Sequence, residues 1–91
     1  MTVARRFIVS GRVQGVGFRY FAIRAARQAG VVGTVRNLPD GSVEAIAEGS
    51  AAAVAEFRGA LERGPSYAHI AKVNEIEMKP AGRYTAFDVV F

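Results

Sequence analysis

The chain changes its hydrophobic pattern within residues 11–19, whose sequence is GRVQGVGFR. Before this stretch, Phe7, Val9 and Val13 share one face of a strand by period two. After it, apolar side chains recur at helical spacing, at Phe18, Phe21, Ala22, Ala25, Ala26 and Ala29. The stretch therefore predicts a first strand from Val3 to about Val13, a glycine-rich bend, and then a helix.

The two strands that follow this helix are predicted to form a hairpin. Gly30 is a suitable stop for the helix, and residues 31–37 and 42–48 have the pattern of strands. They are joined by Leu38-Pro39-Asp40-Gly41, where proline in the second position and glycine in the fourth favour a type I turn. In the third strand, Val43, Ala45 and Ala47 form one alternating set of positions. The other set consists of Glu44, Ile46 and Glu48.

A second helix and two further strands complete the order. Ser50 can cap this helix, and Gly64-Pro65 ends it. Its apolar stripe consists of Val54, Phe57 and Leu61. A fourth strand is predicted at about 70–79 and a last one at 87–91. This order predicts an α+β fold, a ferredoxin-like βαββαβ sandwich with two helices on one face of a mainly antiparallel sheet of four to five strands.

Composition limits the kind of protein this can be. The 91 residues are 51% hydrophobic and 22% charged, which predicts one modest core and a single domain over residues 1–91. No apolar run approaches the roughly 20 residues of a membrane span, and the N-terminus has no signal-peptide pattern. Cysteine is absent, which excludes disulfides and thiolate sites and fits a cytoplasmic location. The net charge of +4 favours anionic partners.

Two further expectations concern the core and the surface. Phe87, Val89 and Phe91 alternate along the last strand and are expected in the core. Six arginines are expected on solvated faces: Arg5, Arg6, Arg12, Arg24, Arg27 and Arg36.

The bend between the first strand and the first helix has the features of a phosphate cradle. Backbone amides at the start of a helix lack partners and carry partial positive charge. Gly15 and Gly17 allow the amides from Gly15 through Val16, Gly17 and Phe18 to Arg19 to converge on one anion. Arg19 lies in the first helical turn, where its guanidinium can contact two phosphate oxygens. Two glycines at such a position are also common in ordinary tight turns.

Asn37 is the second candidate, because it ends the second strand just before the turn. Asparagine there often satisfies turn amides. In the predicted topology, however, the first two strands run parallel with the third between them. Their C-terminal ends share one edge of the sheet, where open α/β sheets usually bind ligands. We therefore expect Asn37 and the cradle to converge.

Residues 11–19 resemble the first motif of the acylphosphatase family, and Gly33-Thr34-Val35-Arg36-Asn37 with Gly41-Ser42-Val43 and Gly49 is similar to the second. Thr34 departs from the family pattern, which usually has an aromatic residue there. So does Pro65-Ser66-Tyr67, where a second proline is common. The resemblance implies hydrolysis of acyl phosphates to a carboxylate and inorganic phosphate. It also implies that Arg19 binds phosphate and Asn37 positions water.

The resemblance implies no metal, no cofactor and no covalent intermediate. A carboxylate leaves without a general acid, so stabilisation of charge and alignment of the water suffice. The expected partners are a small-molecule acyl phosphate and the phosphate product, with no nucleic acid and no membrane. We expect a monomer.

The main alternative is an RNA-binding module, because RNA-recognition domains share this order of elements. Their aromatic block lies on the third strand, whereas Gly15–Phe21 covers a loop and a helix. The predicted third strand has no aromatic residue and carries Glu44 and Glu48. The sequence pattern therefore favours the phosphatase.

Overall fold

The computed structural model describes residues 1–15 and 17–91 of the chain. The described residues form five strands and two helices: β1 (Thr2–Arg12), α1 (Phe18–Ala29), β2 (Val32–Asn37), β3 (Val43–Ser50), α2 (Ala51–Arg63), β4 (His69–Met78) and β5 (Phe87–Val89). The predicted order of elements is confirmed, and most ends agree to within two residues. None of the helices in the described ranges is long and apolar enough to cross a bilayer.

One mixed sheet contains all five strands, in the order β4-β1-β3-β2-β5. β3 is antiparallel to both β1 and β2, so β1 and β2 run parallel to each other, as predicted. β5 adds to the outer side of β2 as a parallel strand. The ferredoxin-like α+β fold is therefore confirmed. The C-terminal ends of β1 and β2 lie at the same edge of the sheet, on either side of β3.

The core lies between the helices and one face of the sheet. Phe57 of α2 is at its centre, with ring centroids 5.9 Å from Phe7 on β1 and 5.4 Å from Phe87 on β5. Ala22 and Ala26 of α1 are completely buried, and their small side chains let this helix pack closely on the sheet. The predicted apolar stripes thus form one continuous cluster.

The opposite face of the sheet differs from expectation. Glu44 on β3 is only 5% exposed, and its carboxylate accepts hydrogen bonds from Arg6 on β1 at 2.7 Å and Arg36 on β2 at 2.9 Å. The two arginine side chains are 36% and 45% exposed, as expected of a solvated face, but they also pair with a buried carboxylate, which the sequence did not indicate. Glu48 is also buried, and it accepts hydrogen bonds from the backbone amides of residues 81–82.

Phe91 is a second correction. Alternation along the last strand placed it in the core, but β5 ends at Val89 and Phe91 is an exposed residue. Phe87 is buried and Val89 is half-buried, so the alternation holds only as far as the strand itself.

Candidate active site

The predicted cradle lies between the end of β1 and the start of α1. Gly15 has φ 74° and Gly17 has φ 78°, both in the left-handed region that favours glycine. Gly17 is the N-cap of α1. Val16 was predicted to contribute an amide as well, and it lies outside the described residues. The backbone therefore turns sharply here, in the conformation for which the two glycines were singled out.

The start of α1 has unpaired backbone donors. Its first helical hydrogen bond runs from the Phe21 amide to the Gly17 carbonyl at 3.1 Å, so the amides of Phe18, Arg19 and Tyr20 have no partner within the helix. Among the described residues no side chain caps this end, and the first turn of the helix contains no acidic residue. The partial positive charge of the helix N-terminus is thus available to an anion.

Arg19 adds a full positive charge to this end of the helix. It is half-buried, and its guanidinium carbon lies 5.6 Å from the centroid of the Phe91 ring. The ion pairs within the described residues involve Arg5, Arg6, Arg36 and Arg58, and none of them involves Arg19. Contact with an aromatic face restricts the side chain while leaving its N–H donors available.

Asn37 ends β2 on the other side of the site. Its Oδ1 atom is buried and accepts no hydrogen bond from the described residues. The predicted alternative, in which this side chain satisfies turn amides, is therefore not observed for the oxygen. A buried acceptor without a donor costs about 1–3 kcal/mol, so a hydrogen bond donated to this oxygen would be favourable.

The turn after Asn37 is held by its own side chains. Ser42 donates to Asp40 Oδ1 from its hydroxyl at 2.5 Å and from its amide at 3.0 Å. These hydrogen bonds, the hydroxyl one above all, lower the pKa of Asp40 below its ordinary value. The Gly41 amide donates to the Leu38 carbonyl at 3.1 Å, as a type I turn requires.

One cavity of about 350 Å³ brings the two candidates together. It is lined by the predicted residues Gly15, Gly17, Phe18, Arg19 and Asn37. It is also lined by Val13, Tyr20, Val89 and Phe91, which the sequence did not indicate as site residues. Tyr20 could have been suspected because it follows Arg19 directly, whereas Val89 and Phe91 come from the far end of the chain. The predicted convergence of the cradle with Asn37 is present in the structure.

The family model described as Acylphosphatase matches residues 5–89. The chain belongs to the acylphosphatase family. It is 47% identical over 85 residues to the acylphosphatase of Pasteurella multocida, an alignment that covers 93% of this chain and 94% of that protein. It is also 47% identical over 81 residues to the acylphosphatase of Methanothrix thermoacetophila, covering 87% and 90%.

Solved structures of the same family have the same fold. The crystal structure of acylphosphatase from Bacillus subtilis superposes with a TM-score of 0.93 at 36% identity, covering 98% of this chain and 99% of that one. As a member of this family, the chain is a hydrolase that acts on acyl phosphates, as the resemblance of its motifs implied. The alternative of an RNA-binding module gains no support from these matches.

Acylphosphatase chemistry can be compared with the groups at this site. Within residues 1–15 and 17–91, no three His, Cys, Asp or Glu side chains lie close enough together to hold a metal ion. The residues that line the cavity carry backbone amides, the Arg19 guanidinium, the Asn37 carboxamide and the Tyr20 hydroxyl. These groups can bind an anion and orient a neutral molecule beside it.

Proposed function

We propose that this cavity is the active site of the acylphosphatase and that Arg19 and Asn37 are its catalytic residues. The observation that carries the proposal is that Asn37, whose buried Oδ1 has no donor in the described residues, lines the same cavity as the start of α1. An anion site and an unused hydrogen-bond acceptor side by side suit a phosphoryl group and the water that attacks it.

The phosphoryl group binds at the start of α1. The amides from Gly15 to Arg19, including that of Val16, donate to its oxygens, and the Arg19 guanidinium contacts two of them. Support comes from the absence of acidic residues in the first helical turn and from the lack of an Arg19 ion pair in the described part of the chain. Preorganised donors stabilise charge without reorganising during the reaction.

Asn37 positions the water. Its Oδ1 accepts one hydrogen from the water, which directs an oxygen lone pair toward phosphorus. The new bond joins this oxygen to phosphorus as the bond from phosphorus to the acyl oxygen breaks. The electron pair of that bond departs with the carboxylate, which is a weak base and needs no protonation. The water's proton passes to a phosphoryl oxygen, so the products are a carboxylate and inorganic phosphate.

Hydrolysis of benzoyl phosphate in excess EDTA tests the proposal. We expect full activity with EDTA and competitive inhibition by inorganic phosphate, because the cradle binds the part that substrate and product share. Loss of activity that added divalent metal restores would contradict a metal-independent site. Inhibition by phosphate that does not compete with substrate would place the phosphoryl group elsewhere.

The wider setting is also a proposal. The chain acts as a single domain over residues 1–91 and as a monomer, in the cytoplasm, without a nucleic-acid or membrane partner and without a cofactor. The lack of cysteine and the acidic residues on β3 support it. Light scattering should give the mass of one 9.7 kDa chain. A gel-shift assay with single-stranded RNA should give no complex at physiological salt.

A further inference from the structure

The active site needs the phosphate cradle and Asn37 at a fixed separation. Strand pairing in the sheet does not link these two parts of the chain at the edge where they meet. Pairing between β1 and β3 ends at Val9 and Val43. Beyond Val9, the rest of β1 pairs with β4 on its other side. The cradle begins at Gly15, six residues past the last β1–β3 pair, and Asn37 is opposite Val43 at the end of its own ladder. Sheet hydrogen bonds alone therefore leave the cradle and Asn37 free to shift relative to each other.

The Gln14 side chain bridges this gap. Its Nε2 atom donates to the Leu38 carbonyl at 2.7 Å and to the Ser42 carbonyl at 2.8 Å. Both hydrogens of the amide group are thereby used, and only this orientation of the amide fits, because Oε1 in the same place would face two acceptors. Gln14 directly precedes the cradle, and Leu38 directly follows Asn37.

The bridge reaches the base of the turn between β2 and β3. The two carbonyls that accept from Gln14 also accept backbone hydrogen bonds within this turn, from Gly41 to Leu38 at 3.1 Å and from Leu38 to Ser42 at 2.8 Å. The turn is thus a closed unit, and Gln14 holds it at two points. Two contacts to one rigid unit restrict rotation as well as distance.

We infer that Gln14 is a positioning residue that holds Asn37 at the correct distance from the phosphate cradle. The inference rests on the proposed role of Asn37. Gln14 itself contacts the turn and not the substrate, so its loss should leave the amides and Arg19 able to bind phosphate. A misplacement of about 1 Å in a catalytic group can lower the rate about 100-fold.

The variant Gln14→Met tests this, because methionine has a similar length and no donor. We expect kcat for benzoyl phosphate to fall about 10- to 100-fold, while the inhibition constant of inorganic phosphate changes less than about threefold. Gln28→Met is the matched control, since Gln28 is exposed on α1, away from the cavity. It should have the parent kcat. An unchanged kcat in Gln14→Met would overturn the inference, and so would an inhibition constant that rises in parallel with the loss of kcat.

A double-mutant cycle separates this inference from the proposed role of Asn37. In the Asn37→Ala background, Gln14→Met should lower kcat by less than about twofold further, because the group that it positions is already gone. An equal loss in both backgrounds would mean that Gln14 acts independently of Asn37 and would overturn the inference. If Asn37→Ala by itself leaves kcat unchanged, the proposed water site is what fails.

Gln14→Lys covers the case in which Gln14→Met does not fold. The lysine ammonium can donate to both carbonyl oxygens, and we expect kcat within about fivefold of the parent. Circular dichroism verifies the fold of each variant. A folded Gln14→Lys protein with a kcat at least about 100-fold below the parent would overturn the inference.

Discussion

Arg19 and Asn37 meet opposite physical requirements in the same cavity. Arg19 lies in the first turn of a helix whose N-terminus no side chain of the described residues caps, so its charge adds to the partial positive charge of that helix end. Asn37 belongs to a strand end and contributes a neutral oxygen that has no donor among the described residues. We propose that one group binds charge and that the other orients a water, so their substitution should affect different kinetic constants.

Arg19→Ala should lower kcat/KM for benzoyl phosphate by at least about 10²- to 10³-fold, because it removes a preorganised donor from the transferring group. The inhibition constant of inorganic phosphate should rise as well, since substrate and product share this contact. Arg27→Ala is the matched control, because Arg27 is exposed in the last turn of the same helix. If Arg19→Ala binds phosphate as tightly as Arg27→Ala does, Arg19 is not in the phosphate site.

Asn37→Ala should lower kcat by about 10²- to 10³-fold while the inhibition constant of inorganic phosphate stays within about threefold of the parent. The reason is that the carboxamide is proposed to contact water and not the phosphoryl group. Asn74→Ala on the exposed strand β4 is the control and should behave as the parent. Hydrolysis by Asn37→Ala at the parent rate would disprove the water-positioning role.

The two helices show how one fold can use the same local feature for stability or for function. In α2, the Ser50 hydroxyl accepts a hydrogen bond from the Ala53 amide at 3.0 Å, which satisfies one of the free amides at the helix start. In α1, Gly17 occupies the equivalent place and provides no side chain. A side chain therefore stabilises the start of α2, whereas the start of α1 is the place where we propose that the substrate binds.

Ser50→Ala should lower the free energy of unfolding by about 1 kcal/mol, because the Ala53 amide loses its acceptor. Urea denaturation measures this change, and kcat should remain at the parent value because α2 does not line the cavity. Ser66→Ala, in the exposed segment after α2, should leave both quantities unchanged. A loss of activity in Ser50→Ala without a change in stability would contradict this division between the helices.

At the scale of the whole molecule, Glu44 connects three strands on the face opposite the helices. Burial by itself raises the pKa of this carboxyl, but the hydrogen bonds from Arg6 and Arg36 outweigh it, so the pKa lies below its ordinary value of 4.5. The unfolded chain therefore takes up the proton at a higher pH than the folded chain does. The stabilisation is complete above this ordinary value and is lost as the pH falls through the folded pKa.

Glu44→Gln should lower the free energy of unfolding by about 1–3 kcal/mol at pH 7, since two arginines lose a buried partner. The difference from the parent should shrink below pH 4.5, as protonation removes the same charge from the parent. Urea denaturation at several pH values measures it. Glu62→Gln is the control, because Glu62 is 51% exposed in its pair with Arg58 and should change stability by less than about 0.5 kcal/mol. A constant difference between pH 7 and pH 3 would contradict the role of the charge.

Most of the fold could be predicted because its signals are local. The Ser50 cap, the stop at Gly30 and the turn that ends in Gly41 each depend on residues within four positions of one another. The burial of Glu44 was missed because alternation shows which face a side chain takes, and not whether arginines on neighbouring strands enclose it. Phe91 was misplaced because alternation continues in the sequence past the point where β5 stops pairing.

The amino-acid sequence by itself determined the order of elements and the glycine bend before α1, because short-range sterics and hydrogen bonding govern both. It also singled out Arg19 and Asn37 as candidates, through their places in the predicted topology and their motifs. Tertiary structure alone decided that Asn37 Oδ1 is buried without a donor in the described residues, that Phe91 lies beside Arg19, and that Gln14 reaches Leu38 and Ser42. These contacts join residues 24 to 72 positions apart, so they exist only once the sheet order brings distant segments to one edge.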